Sequence, residues 1–398
     1  MDERYGTPNY HPLPIVLKKG KGSFVWDLTG KRYYDMLSAY SALNQGHNHP
    51  AIVAAAKAQL NCLTLTSRAF HHTLMGPLLQ KICRLTKQDK AILMNSGAEA
   101  VETAIKAMRL WGYKIKGIPK DKAQIIVCRG NFHGRTTTIV GFSSDPVSSD
   151  GFGPKTPGFV EIEYGSHNAL ESAITPNTCG FLFEPIQGEA GVIVPPPGYL
   201  KKIQEICHRK KIIMCADEIQ TGLGRTGKMF CCDHEKITPD LIILGKALSG
   251  GLYPISAVAG RASILNLLTY GKHGSTFGGN PLACAIGIAA LDTIVKEKLP
   301  QKAEALGKHF RTLLESLHSN LILKVRGKGL LIGVELKTPA RPICEALAKN
   351  GILAKETHEM TIRFAPPLVI TKNQIRNAFK IIKPLLTIPQ APASKHSI

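Results

Sequence analysis

Short apolar runs recur through the middle of the chain, and each run ends at a polar residue or a glycine. A segment with helical periodicity usually follows each run. Apolar runs of this length, bounded by turn-forming residues, are typical of buried parallel strands. Strands that alternate with helices predict an α/β sheet with right-handed crossovers. The runs that predict strands are Ala91–Met94, Ile125–Cys128, Gly180–Phe183, Ile212–Ala216 and Leu241–Leu244.

The pattern divides the chain into three parts. Residues 1–45 are rich in Pro, Tyr and Gly, which predicts an N-terminal arm laid on a larger body. Residues 46–285 carry the alternating pattern and are expected to form a large domain. Residues 286–398 contain amphipathic helical stretches on both sides of the strand-like block Leu330–Leu336, which predicts a smaller α+β domain. The polar residues from Gln390 onward are expected to fray.

The composition excludes a wholly disordered or fibrous protein, because 44% of the 398 residues are hydrophobic and 20% are charged. The 50 Lys and Arg exceed the 29 Asp and Glu, so the formal net charge is +21, which favours anionic partners. The basic residues form only short clusters such as Lys18–Lys21, and the aromatic fraction is 6%. Diffuse charge on an enzyme is therefore favoured over nucleic-acid binding. A basic scaffold protein stays open as an alternative.

The ten cysteines include no C-x-x-C pair, and several lie inside apolar runs. This pattern predicts buried thiols in a reducing compartment, with neither a disulfide framework nor a zinc site. No apolar run approaches the roughly 18 residues of a membrane span. The residues from Met1 to Gly6 show no apolar signal core. We therefore expect a cytoplasmic location and no membrane partner.

Ligands of open α/β sheets bind beyond the carboxyl ends of the strands, so the residues after each run are candidate site residues. Asn95–Ala98 follow the first run and precede a segment with one apolar face. A strand, a tight turn and a helix N-terminus can hold a phosphate group by backbone N–H groups and the helix dipole. A plain turn with a serine at the helix cap is the alternative. The apolar face consists of Val101, Ala104, Ile105 and Met108.

Three further runs deliver reactive or charged side chains. Phe132 and Arg135 follow the second run and could stack on a ring and bind a carboxylate, or belong to a surface loop. Asp217 and Glu218 follow a later run, where one acid could pair with a cationic ring nitrogen or cap a turn. Lys246 follows the last run. A lysine in an apolar setting has a lowered pKa and becomes a nucleophile. The alternative is that its ammonium group reaches solvent, as it does for most lysines.

The segment Gly222–Gly227 matches the G-x-G-x-x-G pattern of dinucleotide-binding proteins. It does not follow its strand directly, and no helix signal follows it, so we reject a dinucleotide site. The remaining pieces are a phosphate cradle, a stacking aromatic, an acid and a lysine. Together they are the groups that a protein needs to bind pyridoxal phosphate.

These residues belong to longer motifs that resemble the class III (subgroup II) aminotransferases and, among them, the ornithine aminotransferases. The resemblance extends from Tyr5 to Leu386. It implies the fold of aspartate aminotransferase (pyridoxal-phosphate fold type I) and a homodimer, or a higher oligomer, with shared active sites. The motifs are Asn9–Pro14, Asn44–His47, Leu65–Phe70, Glu184–Gly191, Ala216–Gly222, Leu244–Gly251, His273–Pro281, Arg326–Leu330 and Ile362–Pro367.

The resemblance implies that pyridoxal 5'-phosphate is the cofactor and that three residues govern its chemistry. Lys246 would bind the cofactor covalently as a Schiff base and then carry a proton between the substrate carbon and the cofactor. Asp217 would keep the pyridine nitrogen protonated. Gln220 would bind the phenolic oxygen. The Asp217, Gln220 and Lys246 block specifies this class of cofactor strongly, and no metal is implied.

Further contacts to the cofactor are implied at four positions. Phe132 would stack on the ring, and the backbone N–H groups of Gly97 and Ala98 would bind the phosphate. Thr276 would reach the phosphate of the neighbouring subunit's cofactor. His133 stands where animal ornithine aminotransferases usually carry Trp, although His is common in the wider class.

The implied substrates are ornithine, which would lose its δ-amino group, and 2-oxoglutarate, which would become glutamate. Tyr10 and Arg135 match the residues that bind the α-carboxylate of ornithine. Tyr40 matches an aromatic wall that 4-aminobutyrate aminotransferases replace with a smaller residue. Glu189 and Arg363 would form a switch, in which Glu189 pairs with Arg363 while ornithine reacts and then releases it to 2-oxoglutarate. A permanent salt bridge between the two domains is the alternative.

The product of ornithine, glutamate 5-semialdehyde, would cyclise without the enzyme to 1-pyrroline-5-carboxylate. An acetylornithine or a 4-aminobutyrate aminotransferase is the alternative within the class. Acetylornithine aminotransferases lack the arm that Asn9–Pro12 represent here.

Overall fold

The computed structural model describes residues 2–387 of the chain, so the predicted fraying from Gln390 onward lies outside the described residues. Within this range fifteen strands form three sheets. The strands are β1 Leu17–Lys21, β2 Phe24–Asp27, β3 Arg32–Asp35, β4 Lys90–Met94, β5 Gln124–Cys128, β6 Phe159–Ile162, β7 Thr178–Phe183, β8 Ile213–Asp217, β9 Leu241–Leu244, β10 Ser256–Gly260, β11 Ile322–Lys328, β12 Leu331–Leu336, β13 Ile352–Leu353, β14 Lys355–Thr357 and β15 Thr361–Phe364.

The helices and helical turns of the described residues range from one turn to five turns. They are α1 Asp2–Tyr5, α2 Ser38–Ser41, α3 Pro50–Leu60, α4 Met75–Thr86, α5 Gly97–Lys114, α6 Thr137–Gly141, α7 Pro146–Ser149, α8 His167–Ala173, α9 Tyr199–Lys210, α10 Ala262–Leu265, α11 Pro281–Lys296, α12 Leu299–Glu315, α13 Arg341–Lys349 and α14 Lys372–Thr387. Within residues 2–387, the structure contains no helix with the length and apolar character that crossing a bilayer requires.

The central sheet has seven strands in the order β4-β10-β9-β8-β7-β5-β6. The five neighbouring strands from β9 to β6 are parallel, and β10 is antiparallel to both β4 and β9. All five predicted apolar runs are strands of this sheet, so the predicted α/β fold with a mostly parallel sheet is confirmed. The sequence reading missed β10, whose small residues make a weak apolar signal, and the edge strand β6.

Helix α5 begins where the sequence predicts a phosphate cradle. Ser96 is its N-cap and accepts a hydrogen bond from the Glu99 N–H, while the Glu99 carboxylate accepts one from the Ser96 N–H. This reciprocal capping box fixes the first turn of the helix at the end of β4. The predicted apolar face of the helix is buried, with Val101, Ala104, Ile105 and Met108 at most 2% exposed.

The N-terminal and C-terminal parts of the chain meet in one sheet, because β13 pairs in parallel with β3 beside β2 and β1. A second four-stranded sheet, in the order β11-β12-β15-β14, carries the C-terminal residues that approach the central sheet. The predicted boundary between residues 285 and 286 falls inside α11, which runs from Pro281 to Lys296. We propose that the large and small parts of the chain divide after this helix.

Helix α12 passes so close to another segment that its middle residue has to be glycine. A Cβ atom built on Gly307 would lie 1.8 Å from the carbonyl oxygen of Gly329. Gly307→Ala is therefore expected to lower the free energy of unfolding by about 1–3 kcal/mol, because backbone atoms have to shift. Thermal and urea unfolding measure the change. Gly76→Ala in α4 is the matched control, since nothing lies within 4 Å of its added Cβ and alanine favours a helix. Equal stability of the two variants would contradict the packing argument.

Candidate active site

The carboxyl ends of the parallel strands surround a cavity of about 220 Å³. It lies where the strand topology predicts a ligand site. Seven of the residues predicted for cofactor or substrate line this cavity. They are Gly97, Ala98, Phe132, Glu189, Asp217, Gln220 and Lys246.

Asp217 is the last residue of β8, and its carboxylate is held by two hydrogen bonds. Oδ2 contacts His133 Nδ1 at 2.7 Å, and Oδ1 accepts a hydrogen bond from the Ile219 N–H at 3.1 Å. Burial by itself would lower the pKa of His133, but the hydrogen bond and the charge of Asp217 outweigh it and raise the pKa. The pair places a carboxylate, hydrogen-bonded to an imidazole, at the base of the cavity.

Lys246 follows β9 by one glycine and opens a short helical turn. Burial lowers the pKa of its amine, and the nearby Arg363 adds to this, while the charge of Glu189 acts in the opposite direction. Its backbone φ of 43° lies in the left-handed region, which is rare for a residue with a side chain. A strained lysine with a depressed pKa, inside a cavity, has the properties of a nucleophile and proton carrier.

The cavity wall includes the N-terminus of α5 at Gly97 and Ala98. The first N–H groups of a helix have no intrahelical acceptors, and the helix dipole adds positive potential there. An added Cβ on Gly97 would lie 3.0 Å from Ile219, so glycine lets the loop after β8 pack against the helix start. This end of the cavity can bind an anion such as a phosphate.

Gln220 links the base of the cavity to a charged pair. Its Nε2 donates to Glu189 Oε1 at 3.0 Å, and its buried Oε1 has no hydrogen-bond partner within the described part of the chain. An added Cβ on Gly188 would lie 1.5 Å from that oxygen, so glycine at this position is what admits the Gln220 amide. A buried carbonyl oxygen without a donor marks a place where a ligand can supply one.

Glu189 and Arg363 form the predicted ion pair, with Arg363 Nη1 at 2.6 Å from Glu189 Oε1. Burial would raise the pKa of Glu189, but the charges of Arg363 and Lys246 lower it to about 2. The Arg363 side chain is 1% exposed, and its Cζ lies 5.2 Å from the centre of the Tyr40 ring. A buried arginine therefore has one carboxylate and one aromatic face as neighbours at the edge of the cavity.

The backbone that carries Tyr40 is strained. Ser38, Ala39, Tyr40 and Ser41 all have positive φ, between 46° and 73°, although none of them is glycine. A left-handed turn costs roughly 1–2 kcal/mol for each such residue. Strain of this kind persists only where surrounding contacts impose it, and such places are common at functional sites.

Five predicted residues lie outside the cavity wall, and two of them are Arg363, which pairs with Glu189, and Tyr40, which lies beside Arg363, as described above. Arg135 is exposed, and its Cζ lies 5.5 Å from the centre of the Phe132 ring, so it is next to the site. Tyr10 is 69% exposed in the N-terminal segment, and Thr276 is exposed in a loop. The structure does not bring Tyr10 or Thr276 to this cavity.

Five residues that line the cavity were assigned no role from the sequence, and they are Gly134, Glu184, Ile186, Ile219 and Thr221. Burial raises the pKa of Glu184 to about 7, with the charge of His133 opposing it, and Glu184 accepts a hydrogen bond from the Phe132 N–H. Glu184 directly follows β7, so the rule that identified Asp217 and Lys246 could have found it. Ile219 is an ordinary apolar residue in a loop and has no such signal.

The cysteines are free in the described structure, as the sequence predicts, and eight of the ten are buried. No group of three or more potential metal ligands occurs in the part of the chain that the structure describes.

Comparison with known proteins gives consistent matches over nearly the whole chain. A family model described as "Aminotransferase class-III" matches residues 5–386. An ornithine aminotransferase of Geobacillus sp. (strain WCH70) is 56% identical over 383 residues, which cover 96% of this chain and 96% of that protein.

Two solved structures are also similar. The ornithine aminotransferase from Toxoplasma gondii, reported with partial occupancy of PLP at its active site, aligns with a TM-score of 0.95 at 46% identity. The alignment covers 97% of this chain and 92% of that one. An acetylornithine aminotransferase from Elizabethkingia anophelis aligns with a TM-score of 0.88 at 50% identity and covers 97% of each chain.

Proposed function

Because this chain belongs to the class-III aminotransferases, we propose that it transfers the δ-amino group of ornithine to 2-oxoglutarate. The products are glutamate and glutamate 5-semialdehyde, which cyclises to 1-pyrroline-5-carboxylate. The observation that carries the substrate assignment is the pairing of Arg363, which lies beside Tyr40, with Glu189, which lines the cavity that contains Lys246. The similarity to ornithine aminotransferases over nearly the full length supports the same assignment.

The chain is a pyridoxal-phosphate-dependent enzyme, as its family implies, and the residues of the cavity fit this cofactor. The buried Gln220 Oε1 lacks a donor within the described residues, and Asp217 supplies a carboxylate for a cationic nitrogen. We propose that Asp217 holds the ring nitrogen, Gln220 the phenolic oxygen and the start of α5 at Gly97 and Ala98 the phosphate. We propose that Phe132 stacks on the ring. Because Gln220 Nε2 donates to Glu189, its Oε1 is the atom that is left to accept a hydrogen bond from the hydroxyl group of the cofactor.

When bound, the cofactor withdraws electrons from the carbon that carries the reacting amine. Lys246 has the lowered pKa of an amine that can bond covalently to an aldehyde and can later accept and return a proton. Asp217 supplies a carboxylate at the base of the cavity, and His133 Nδ1 holds it at 2.7 Å. These residues supply the nucleophile, the proton carrier and the counter-ion that amino transfer requires.

The two substrates differ at the carbon next to the reacting group. Glutamate and 2-oxoglutarate carry a carboxylate there, whereas the δ-carbon of ornithine neighbours only a CH₂ group. A bare buried arginine beside that CH₂ would be an unpaired charge, which is costly. We propose that Glu189 neutralises Arg363 while ornithine reacts and releases it to the carboxylate of 2-oxoglutarate. Tyr10 and Arg135 are proposed to bind the distant α-carboxylate of ornithine.

A second candidate substrate is N-acetylornithine, because an acetylornithine aminotransferase is 50% identical to this chain. A single-turnover panel with ornithine, N-acetylornithine and 4-aminobutyrate separates the candidates, with absorbance of the bound cofactor as the signal. The proposal expects the largest kcat/KM for ornithine. A larger value for either of the other amines would replace the substrate assignment and leave the aminotransferase family unchanged.

Tyr40→Ile is expected to shift preference from ornithine toward 4-aminobutyrate. Loss of the phenol leaves the polar end of ornithine with fewer hydrogen-bond partners, which costs about 1–3 kcal/mol, or roughly a 5- to 150-fold change in the kcat/KM ratio. Tyr40→Phe is the companion variant: it keeps the ring next to Arg363 and removes only the hydroxyl group, so it is expected to show the same shift if the hydroxyl group is responsible. An unchanged ratio in Tyr40→Ile would remove Tyr40 from the specificity argument.

We propose that the active unit is a homodimer in which the two subunits share their active sites. We also propose that the protein is located in the cytoplasm. Thr276 is exposed and lies outside the cavity of its own chain, which suits a contact with the neighbouring subunit's cofactor phosphate. The free cysteines suit a reducing compartment. Sedimentation analysis of the purified protein tests the dimer, and a monomer with full activity would contradict it.

A further inference from the structure

Arg225 lies within the Gly222–Gly227 segment, whose match to the dinucleotide-binding pattern was rejected above and which has no other assigned role. Its side chain is 0% exposed, although arginine is rarely buried without a partner. Within the described part of the chain, Arg225 forms no ion pair with a carboxylate. Burial lowers its pKa to about 9, against the opposing charge of Asp35. A guanidinium group in this position has to be satisfied by hydrogen bonds alone.

The guanidinium group donates four hydrogen bonds to three separate segments of the chain. Nη1 donates to the carbonyl oxygens of Leu330 at 3.0 Å and Pro366 at 2.6 Å. Nη2 donates to Ser38 Oγ at 3.0 Å and Asn44 Oδ1 at 2.5 Å. The planar, rigid fork of an arginine suits this task, because all four directions are set by one group.

Two of these segments carry the residues that are proposed to recognise the substrate. Ser38 begins the left-handed turn that contains Tyr40, and Pro366 follows β15, which contains Arg363. Ser38 Oγ also donates to the Ala365 carbonyl oxygen at 2.6 Å, so the turn and the end of β15 are joined directly. Arg225 therefore joins the two segments whose side chains, Arg363 and Tyr40, contact each other.

We propose that Arg225 is a positioning residue for recognition of the substrate carboxylate. Its guanidinium group holds the strained Tyr40 turn against the end of β15, and thereby sets the position of Arg363 beside Glu189. Arg225 itself does not line the cavity, and it is not a member of the Glu189–Arg363 pair. The roles of Tyr40 and Arg363 in this inference rest on the proposed function.

The alternative is that Arg225 only stabilises the fold, and the binding constant of each intact site distinguishes these two roles. If the role is only structural, substitution of Arg225 lowers the melting temperature and the fraction of active sites but leaves the affinity of each remaining site unchanged. If Arg225 positions Arg363, its substitution weakens the affinity of every site for a carboxylate ligand. Glutarate is a suitable probe, since it has the two carboxylates of 2-oxoglutarate and no reacting group.

The experiment measures the Kd of glutarate for the cofactor-loaded protein by titration calorimetry, together with the melting temperature. Arg225→Lys keeps the charge and loses the fork, and its Kd is expected to rise at least tenfold, with a corresponding fall in kcat/KM for 2-oxoglutarate. Ser38→Ala removes one acceptor of the fork and the bond to Ala365, and it is expected to raise Kd about threefold. Ser38→Ala decides the question if Arg225→Lys does not fold.

Arg311→Lys is the matched control, because Arg311 Nη1 donates to the Gly329 carbonyl oxygen at 3.1 Å, next to Leu330, and within the described residues Arg311 has no hydrogen bond to the Tyr40 turn. Its glutarate Kd is expected to equal that of the wild type. A wild-type Kd in both Arg225→Lys and Ser38→Ala, with lowered melting temperatures, would overturn the inference. So would a wild-type protein that binds no glutarate. Failure of the wild type to react with ornithine would instead overturn the proposed function and leave the glutarate comparison intact.

Discussion

Lys246→Ala is expected to abolish amino transfer, with a loss of roughly 10⁴-fold or more in turnover. Losses of this size follow removal of a residue that acts both as nucleophile and as proton carrier. Lys246 lies in the cavity with a pKa lowered by burial, one glycine beyond the end of β9. Because the other cofactor contacts remain, the variant is expected to bind pyridoxal phosphate without a covalent bond. Borohydride treatment should attach the cofactor to residue 246 of the wild type and leave the variant unlabelled.

Lys116→Ala is the matched control for this experiment. Lys116 is also partly buried with a pKa lowered by burial, but its Nζ donates to the Thr178 carbonyl oxygen away from the cavity. The control should keep its turnover and its borohydride labelling, and circular dichroism should show that both variants are folded. Substantial turnover by purified Lys246→Ala would refute the assigned role of this lysine.

Glu189→Ala is expected to reverse the balance between the two amino donors. The variant leaves Arg363 permanently without its carboxylate partner at 2.6 Å, so the α-carboxylate of glutamate gains a partner. Reaction with glutamate should become faster, while reaction with ornithine falls or stays level. The ratio of the two single-turnover rate constants should change by roughly 10- to 100-fold, the scale of one buried charged hydrogen bond.

Glu335→Ala controls for the loss of any ion pair. Glu335 pairs with Arg326 on neighbouring strands β12 and β11, outside the cavity that contains Lys246. This control is expected to leave the donor ratio unchanged, because the proposed switch is specific to Glu189. Equal losses for both donors in Glu189→Ala would mean that the Glu189–Arg363 pair is a permanent structural bridge.

The sequence by itself determined five of the seven strands of the central sheet and the side chains that follow them. Apolar runs such as Leu241–Leu244 predict buried strands from local composition alone, and β9 occupies that range. Parallel strands bring their carboxyl ends to one edge, so Asp217 and Lys246 could be assigned to one site before any contact was known. Both residues line the same cavity. The same rule would have found Glu184, which directly follows β7.

Only the tertiary structure decided which residues that are distant in the sequence form ion pairs and hydrogen bonds with one another. The family resemblance predicted that Glu189 and Arg363 pair, but the approach of the β14 and β15 strands to the Gly188–Glu189 segment sets their distance. Nothing in the Gly222–Gly227 pattern indicates that Arg225 is fully buried, or that its acceptors lie at residues 38, 44, 330 and 366. A buried charge is stable only where the rest of the fold provides its partners, and those partners come from segments far apart along the chain.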